Sequence, residues 1–143
     1  MEPFGHGREE RTTWGGRLCL SLALVLACVS TVRAEDPVSF SKDIAPLLKS
    51  HCAACHLTGE EPGLMALHPK AAYKFLVGVP STESKLLRVK PGSAQDSYMV
   101  HKLEGTQLKV GGLGMRMPME GAPLTPDEIG MIRRWIDAGA LDN

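Results

Sequence analysis

The chain has 143 residues, room for one domain at roughly 100–200 residues each. Sixteen basic residues balance sixteen acidic ones, and 43% hydrophobic with 22% charged is an ordinary globular composition, which excludes a polybasic nucleic-acid binder and a long disordered tail. Aromatics are only 5% while 15 Gly and 10 Pro make the chain loop-rich, so the composition points to something other than aromatic side chains as the filler of the core.

The first element in chain order is a leader. Residues 18–30 are uncharged and apolar, follow Arg8, Arg11 and Arg17, and precede the small-residue site Val32-Arg33-Ala34. This pattern reads as a Sec-type secretory signal peptide over residues 1–34, with cleavage after Ala34 and export to the periplasm. The run is short for a span, which takes about 20 apolar residues, although an uncleaved anchor is a second reading. A third uses Val25-Leu26-Ala27-Cys28 as a weak lipoprotein signal that would make Cys28 a lipidated first residue. Cleavage removes Arg8, Arg11, Arg17, Arg33, Glu2, Glu9 and Glu10, which leaves a domain of residues 35–143 with a charge of about −1. Cys19 and Cys28 leave as well, so Cys52 and Cys55 are the mature cysteines. A secreted domain of this size usually relies on several disulfides, so its extra stabilisation must come from another source.

The mature segment opens with a helix over residues 38–49, where Phe40, Ile44, Leu47 and Leu48 share a face and Ser39 or Ser41 can cap. Pro46 lacks the N–H for an interior bond, so this helix is bent or begins late. It feeds into Cys52-Ala53-Ala54-Cys55-His56, the C-x-x-C-H pattern of covalent haem c attachment. Residues three apart on a helical turn point the same way, so both thiols reach the two vinyl groups on one porphyrin edge and form thioethers. His56 then lies beneath the iron and its neutral imidazole supplies the proximal ligand. Two other chemistries use such cysteines. A thioredoxin-like pair opens a helix after a strand, and the flanks here read as helix without strands. A zinc site needs four ligands, so two of His51, His68 and His101 would have to converge on the motif. A buried porphyrin, contributing roughly 25 cal/mol per Å² of apolar surface, would stand in for the missing aromatics and disulfides.

A second helix is expected over residues 69–79, with Ala72, Phe75, Leu76 and Val79 on one side, followed by a charged loop over 81–92. A short helix follows over 96–104, with Tyr98, Met99 and Leu103 in reach of the core. Residues 111–121, which have no helical period, hold Met115, Met117 and Met119. In an extended loop all three face one way, but Pro118 stiffens the backbone at Met117. Met117 therefore ranks first as distal iron ligand, Met119 second and Met115 third. Met65, Met99 and Met131 read as core packing. His51, His68 and His101 read as surface or capping residues, with bis-histidine ligation the residual alternative. The Pro62 carbonyl is a candidate to orient the His56 imidazole. The last helix is announced by a capping box at Thr125-Pro126-Asp127-Glu128, carries Ile129, Ile132, Trp135 and Ile136 on one face, and stops at Gly139. It is expected to pack on the first helix. With one C-x-x-C-H and no internal repeat, one haem is expected.

Phe40-Ser41-Lys42-Asp43-Ile44-Ala45-Pro46-Leu47-Leu48 before the C-x-x-C-H, Val89-Lys90-Pro91-Gly92, Ser97-Tyr98, Arg116-Met117-Pro118 and residues 129–140 together resemble a class I c-type cytochrome, of the bacterial type associated with planctomycetes. The resemblance covers nearly all of the mature chain. It implies an all-α fold, a small cytochrome c fold of about four helices wrapped around one haem, with Cys52 and Cys55 as thioether sites, His56 as proximal and Met117 as distal ligand. Leu57 stands where related domains often carry glycine, and the stretch from Gly59 to Gly92 is long. The expected function is single-electron transfer to redox partner proteins, without catalysis, nucleic acid or a membrane span after cleavage. A haem enzyme or sensor with a labile distal ligand and a haem subunit of a larger oxidoreductase complex are the alternatives. Lys42, Lys49, Lys70, Lys74, Lys85, Lys90, Lys102 and Lys109 are either a docking patch or scattered solubilising charges, and the equal number of acids favours the second.

Overall fold

The structure is a computed structural model and describes residues 36–143, so the leader, its cleavage site and Cys28 lie outside the described residues. Four α-helices, one π-helical turn and one 3-10 turn form the described part. It holds no strand, and three isolated bridges, Val77 with Val89, Pro80 with Leu87 and Leu87 with Ser97, stitch its loops together. The described fold is therefore mostly α. No helix among the described residues is long and apolar enough to cross a membrane.

The first expected helix divides in two. Ser39 caps a π-helical turn, Phe40–Ile44, by accepting from the Lys42 N–H, and α1 runs Ala45–His51. The Ile44 N–H reaches back to Ser39 O at 3.2 Å, so the wide turn shifts the phase and leaves Pro46 in the first turn of α1. There its missing N–H costs no bond. The turn's leading donors are satisfied from the far end of the chain: Phe40 N–H donates to Asn143 Oδ1 and Ser41 N–H to Asn143 O, both at 2.8 Å.

Helix α2 covers Ala72–Leu76, shorter than expected, because Val77 turns extended at φ −79°, ψ 120° to pair with Val89. Helix α3, Tyr98–Glu104, ends at Gly105, whose φ of 74° suits a residue without a Cβ. The 3-10 turn Gln107–Val110, absent from the sequence expectation, follows. Helix α4, Pro126–Asp137, carries the anticipated capping box: the Thr125 side chain accepts from Glu128 N–H while Glu128 Oε2 accepts from Thr125 N–H at 2.7 Å.

Ile44, Leu48, Leu76, Val89, Val100, Ile132, Trp135 and Ile136 are fully buried at the centre of the core. Aliphatic residues make up most of this core, as expected, and a small aromatic group joins them. Phe40 meets Tyr73 edge-on at 5.2 Å and Trp135 at 5.4 Å between ring centroids, and the polar handles are satisfied by Tyr73 OH to Ala140 O and Trp135 Nε1 to Leu141 O. Through this cluster α4 packs on the π turn. At its other end His51 of α1 faces Glu128 of α4 at 3.4 Å.

Candidate functional site

Helix α1 ends at Cys52, whose N–H still bonds Leu48 O at 2.9 Å. The chain then turns tightly, with Cys55 N–H and His56 N–H both donating to Cys52 O at 3.2 and 3.0 Å. Ala53 is buried and Ala54 exposed, while Cys52, Cys55 and His56 all line one cleft of about 330 Å³. That volume lies within the range of small-molecule sites. Its apolar walls include Met65, Leu67, Leu76, Met99 and Leu103, and Met117, Pro118 and Met119 also border it.

The segment after the motif is folded back by a carboxylate. Glu61 accepts from Thr58 N–H at 2.9 Å, Thr58 Oγ1 at 3.0 Å and Gly59 N–H at 2.9 Å. These donors, the Thr58 N–H foremost, hold its carboxyl down at about 2. The loop closes with Leu67 N–H on His56 O at 2.7 Å. Arg88, which is 5% exposed, braces the same loop by donating to Gly63 O, Leu64 O and Phe75 O at 2.7, 3.0 and 2.8 Å.

Burial pushes the His56 imidazole below the usual histidine range, so the ring is neutral at neutral pH. Its Nδ1 is buried and unpartnered. The Pro62 carbonyl, expected to orient the ring, therefore does not bond it here. Cys52 and Cys55 are free thiols. Burial, reinforced by Cys55, raises the Cys52 thiol to about 11. This is the wrong environment for a thioredoxin-like pair, which needs a stabilised thiolate at a helix N-terminus. Cys52 instead sits at the C-terminal end of α1, where the helix dipole disfavours negative charge. Convergence of histidines for zinc is not seen either. His101 is 5% exposed and locked between Thr106 Oγ1 and Gln95 O at 2.8 and 2.9 Å, which corrects its reading as a surface residue. No three His, Cys, Asp or Glu side chains cluster as metal ligands among the described residues. His51, expected to face solvent, is half-buried and lines the cleft.

Of the three loop methionines, Met117 is half-buried on the cleft, Met119 borders it but is 62% exposed, and Met115 is 64% exposed and absent from the lining. Met65, Met99 and Met131 pack against the core as expected, although Met65 and Met99 also form cleft wall. Sequence reasoning missed Arg88, Glu83 and Lys102, all of which line the cleft. Lys102 is 8% exposed and paired with Glu83 at 2.9 Å, so it leaves the set of surface lysines. Its place in α3, one residue before the expected core residue Leu103, was the one available signal.

The donor set fits a covalently attached haem. It offers two free thiols three residues apart, a neutral imidazole beside them, a thioether sulfur and an apolar cleft shared by all four residues.

No protein-family model matches the chain, and no curated protein matches it. Among solved structures, Kuenenia stuttgartiensis hydrazine synthase is similar at a TM-score of 0.48 with 27% identity over 72% of this chain. The chain spans 16% of that protein's length.

Proposed function

We propose that the chain is an exported monohaem c-type cytochrome that passes single electrons between redox partner proteins. The observation that carries this reading is the convergence of Cys52, Cys55, His56 and Met117 on one apolar cleft. Cys52 and Cys55 would hold the porphyrin by thioethers, each thiol adding its sulfur and hydrogen across a vinyl double bond. His56 and Met117 would supply the nitrogen and sulfur ligands that hold its iron. When bound, haem supplies reversible one-electron chemistry, and methionine ligation raises its potential. The chain's own part is to bind, orient and shield. Burial keeps the His56 imidazole unprotonated and able to donate its lone pair. The Thr58–Glu61 turn and Arg88 fix the loop behind it, and Leu67, Leu76 and Leu103 give the cleft an apolar wall. With His56 and Met117 both committed to holding the haem, the proposed role would be electron carriage rather than catalysis.

A pyridine haemochrome spectrum of the exported protein tests the reading: two thioether bonds and one haem per chain are expected, and a colourless, folded protein with both thiols free would refute it. In haem-loaded protein, Met117→Ala is expected to abolish low-spin sulfur ligation and Met119→Ala to keep it. The reverse pattern would move the ligand to Met119.

A further inference from the structure

We propose that Glu83, Lys102 and Tyr98 form a clasp that seats residues 113–117 against the cleft and so positions Met117. This inference rests on the proposed function for the role of Met117, but not for the clasp itself. Residues 111–121 contain four glycines and no regular structure, so fixing them carries a large entropic cost. The hydrogen bonds that offset it come from α3 and its surroundings. Lys102 Nζ donates to Glu83 Oε2 at 2.9 Å and to Leu113 O at 3.1 Å. The Tyr98 hydroxyl donates to the same Glu83 oxygen at 3.1 Å and accepts from Leu113 N–H at 3.1 Å. A Cβ at Gly112 would run into the Tyr98 ring, so the loop passes there only as glycine. Further along, Gln107 Nε2 donates to Gly114 O, Arg116 Nε to Leu103 O, and Met117 N–H to Lys102 O at 2.8 Å.

The clasp joins three segments distant in sequence, and all three side chains line the cleft. Its two charges are not equivalent. The Lys102 side chain is 10% exposed and that of Glu83 is 31% exposed. A buried ammonium without its carboxylate is poorly compensated, whereas the carboxylate alone can rehydrate. Neutralising Glu83 should therefore release the loop at least as strongly as neutralising Lys102. Arginine at 102 keeps both the charge and the donors.

The test uses the exported, haem-loaded full chain as wild type, Glu83→Gln, Lys102→Met, Lys102→Arg and Tyr98→Phe. Two readouts are followed: the sulfur-to-iron charge-transfer band with the reduction potential, and the rate of tryptic cleavage after Arg116 relative to cleavage after Lys74 in α2. Glu83→Gln and Lys102→Met are expected to be nicked after Arg116 about tenfold faster or more, and to lose the sulfur band at denaturant concentrations where helix content is intact. The potential should fall with the band, and Lys102→Arg should restore both readouts. If a charge variant fails to fold, Tyr98→Phe carries the same expectation, because it removes only the hydroxyl. Faster nicking in a protein whose wild type has no sulfur band would uphold the clasp and overturn Met117 as ligand. Unchanged nicking after Arg116 in the folded variants would overturn the clasp whatever the spectrum.

Discussion

Cys52 and Cys55 have the same chemistry and different surroundings, and the difference can be measured. Cys55 is exposed, while Cys52 is partly enclosed with its thiol raised from 9.0 to about 11 by burial. In protein without haem, this leaves Cys52 a roughly hundredfold smaller thiolate fraction than an unburied thiol below about pH 9. Iodoacetamide mapping by mass spectrometry should thus label Cys55 far ahead of Cys52 below pH 9, and equal rates would contradict the enclosure of Cys52. Glu61 shows the opposite displacement, from 4.5 to about 2, because its ionised form accepts from Thr58 and Gly59. A folded value below the unfolded one means that the turn is supported by the ionised carboxylate above about pH 4.5. That support is lost as pH falls toward 2. Amide exchange at Thr58 and Gly59 should accelerate across this window relative to neighbouring loops. Glu61→Gln should lack the protection already at neutral pH.

At the level of elements, the four helices differ in how they are held. Helix α4 carries its own start signal in the Thr125–Glu128 box, and Thr125→Ala should cost about 1 kcal/mol, read as a denaturant midpoint shift at unchanged slope. A much larger loss would mean that the box also anchors the preceding methionine loop. The π turn is secured instead by Asn143, more than a hundred residues away in sequence. Helices α2 and α3 are short, at five and seven residues, and would be marginal alone. The bridges through Val89, Leu87 and Ser97 and the buried faces of Leu76, Val100 and Leu103 hold them in place.

For the whole molecule, the cleft is an apolar surface inside a small domain. On the proposed function, the porphyrin that fills it also completes the core. The double variant Cys52→Ala/Cys55→Ala, exported without attached haem, should melt about 10 °C or more below the haem-loaded protein, since burial of even a modest apolar area is worth a few kcal/mol. Equal melting temperatures would separate the cofactor from the stability of the fold. The aromatic cluster of Phe40, Tyr73 and Trp135 does not line the cleft and should persist in that variant, visible as retained near-ultraviolet dichroism.

Local chemistry alone announced the parts of this protein whose causes lie within a few residues. The cap at Ser39, the capping box at Thr125, the stop near Gly139 and the spacing of Cys52, Cys55 and His56 are all of this kind, because each depends on contacts along one turn of chain. Pro46 signalled a disturbance in the first helix, but not that a π turn would absorb it. Tertiary structure alone decided the rest: the burial of His101, the brace of Arg88, and the failure of the Pro62 carbonyl to reach His56. The pairing of Lys102 with Glu83 belongs with these. Such features join residues tens of positions apart, and a periodic pattern of apolar residues says which face is buried without saying which charges will be buried beside it.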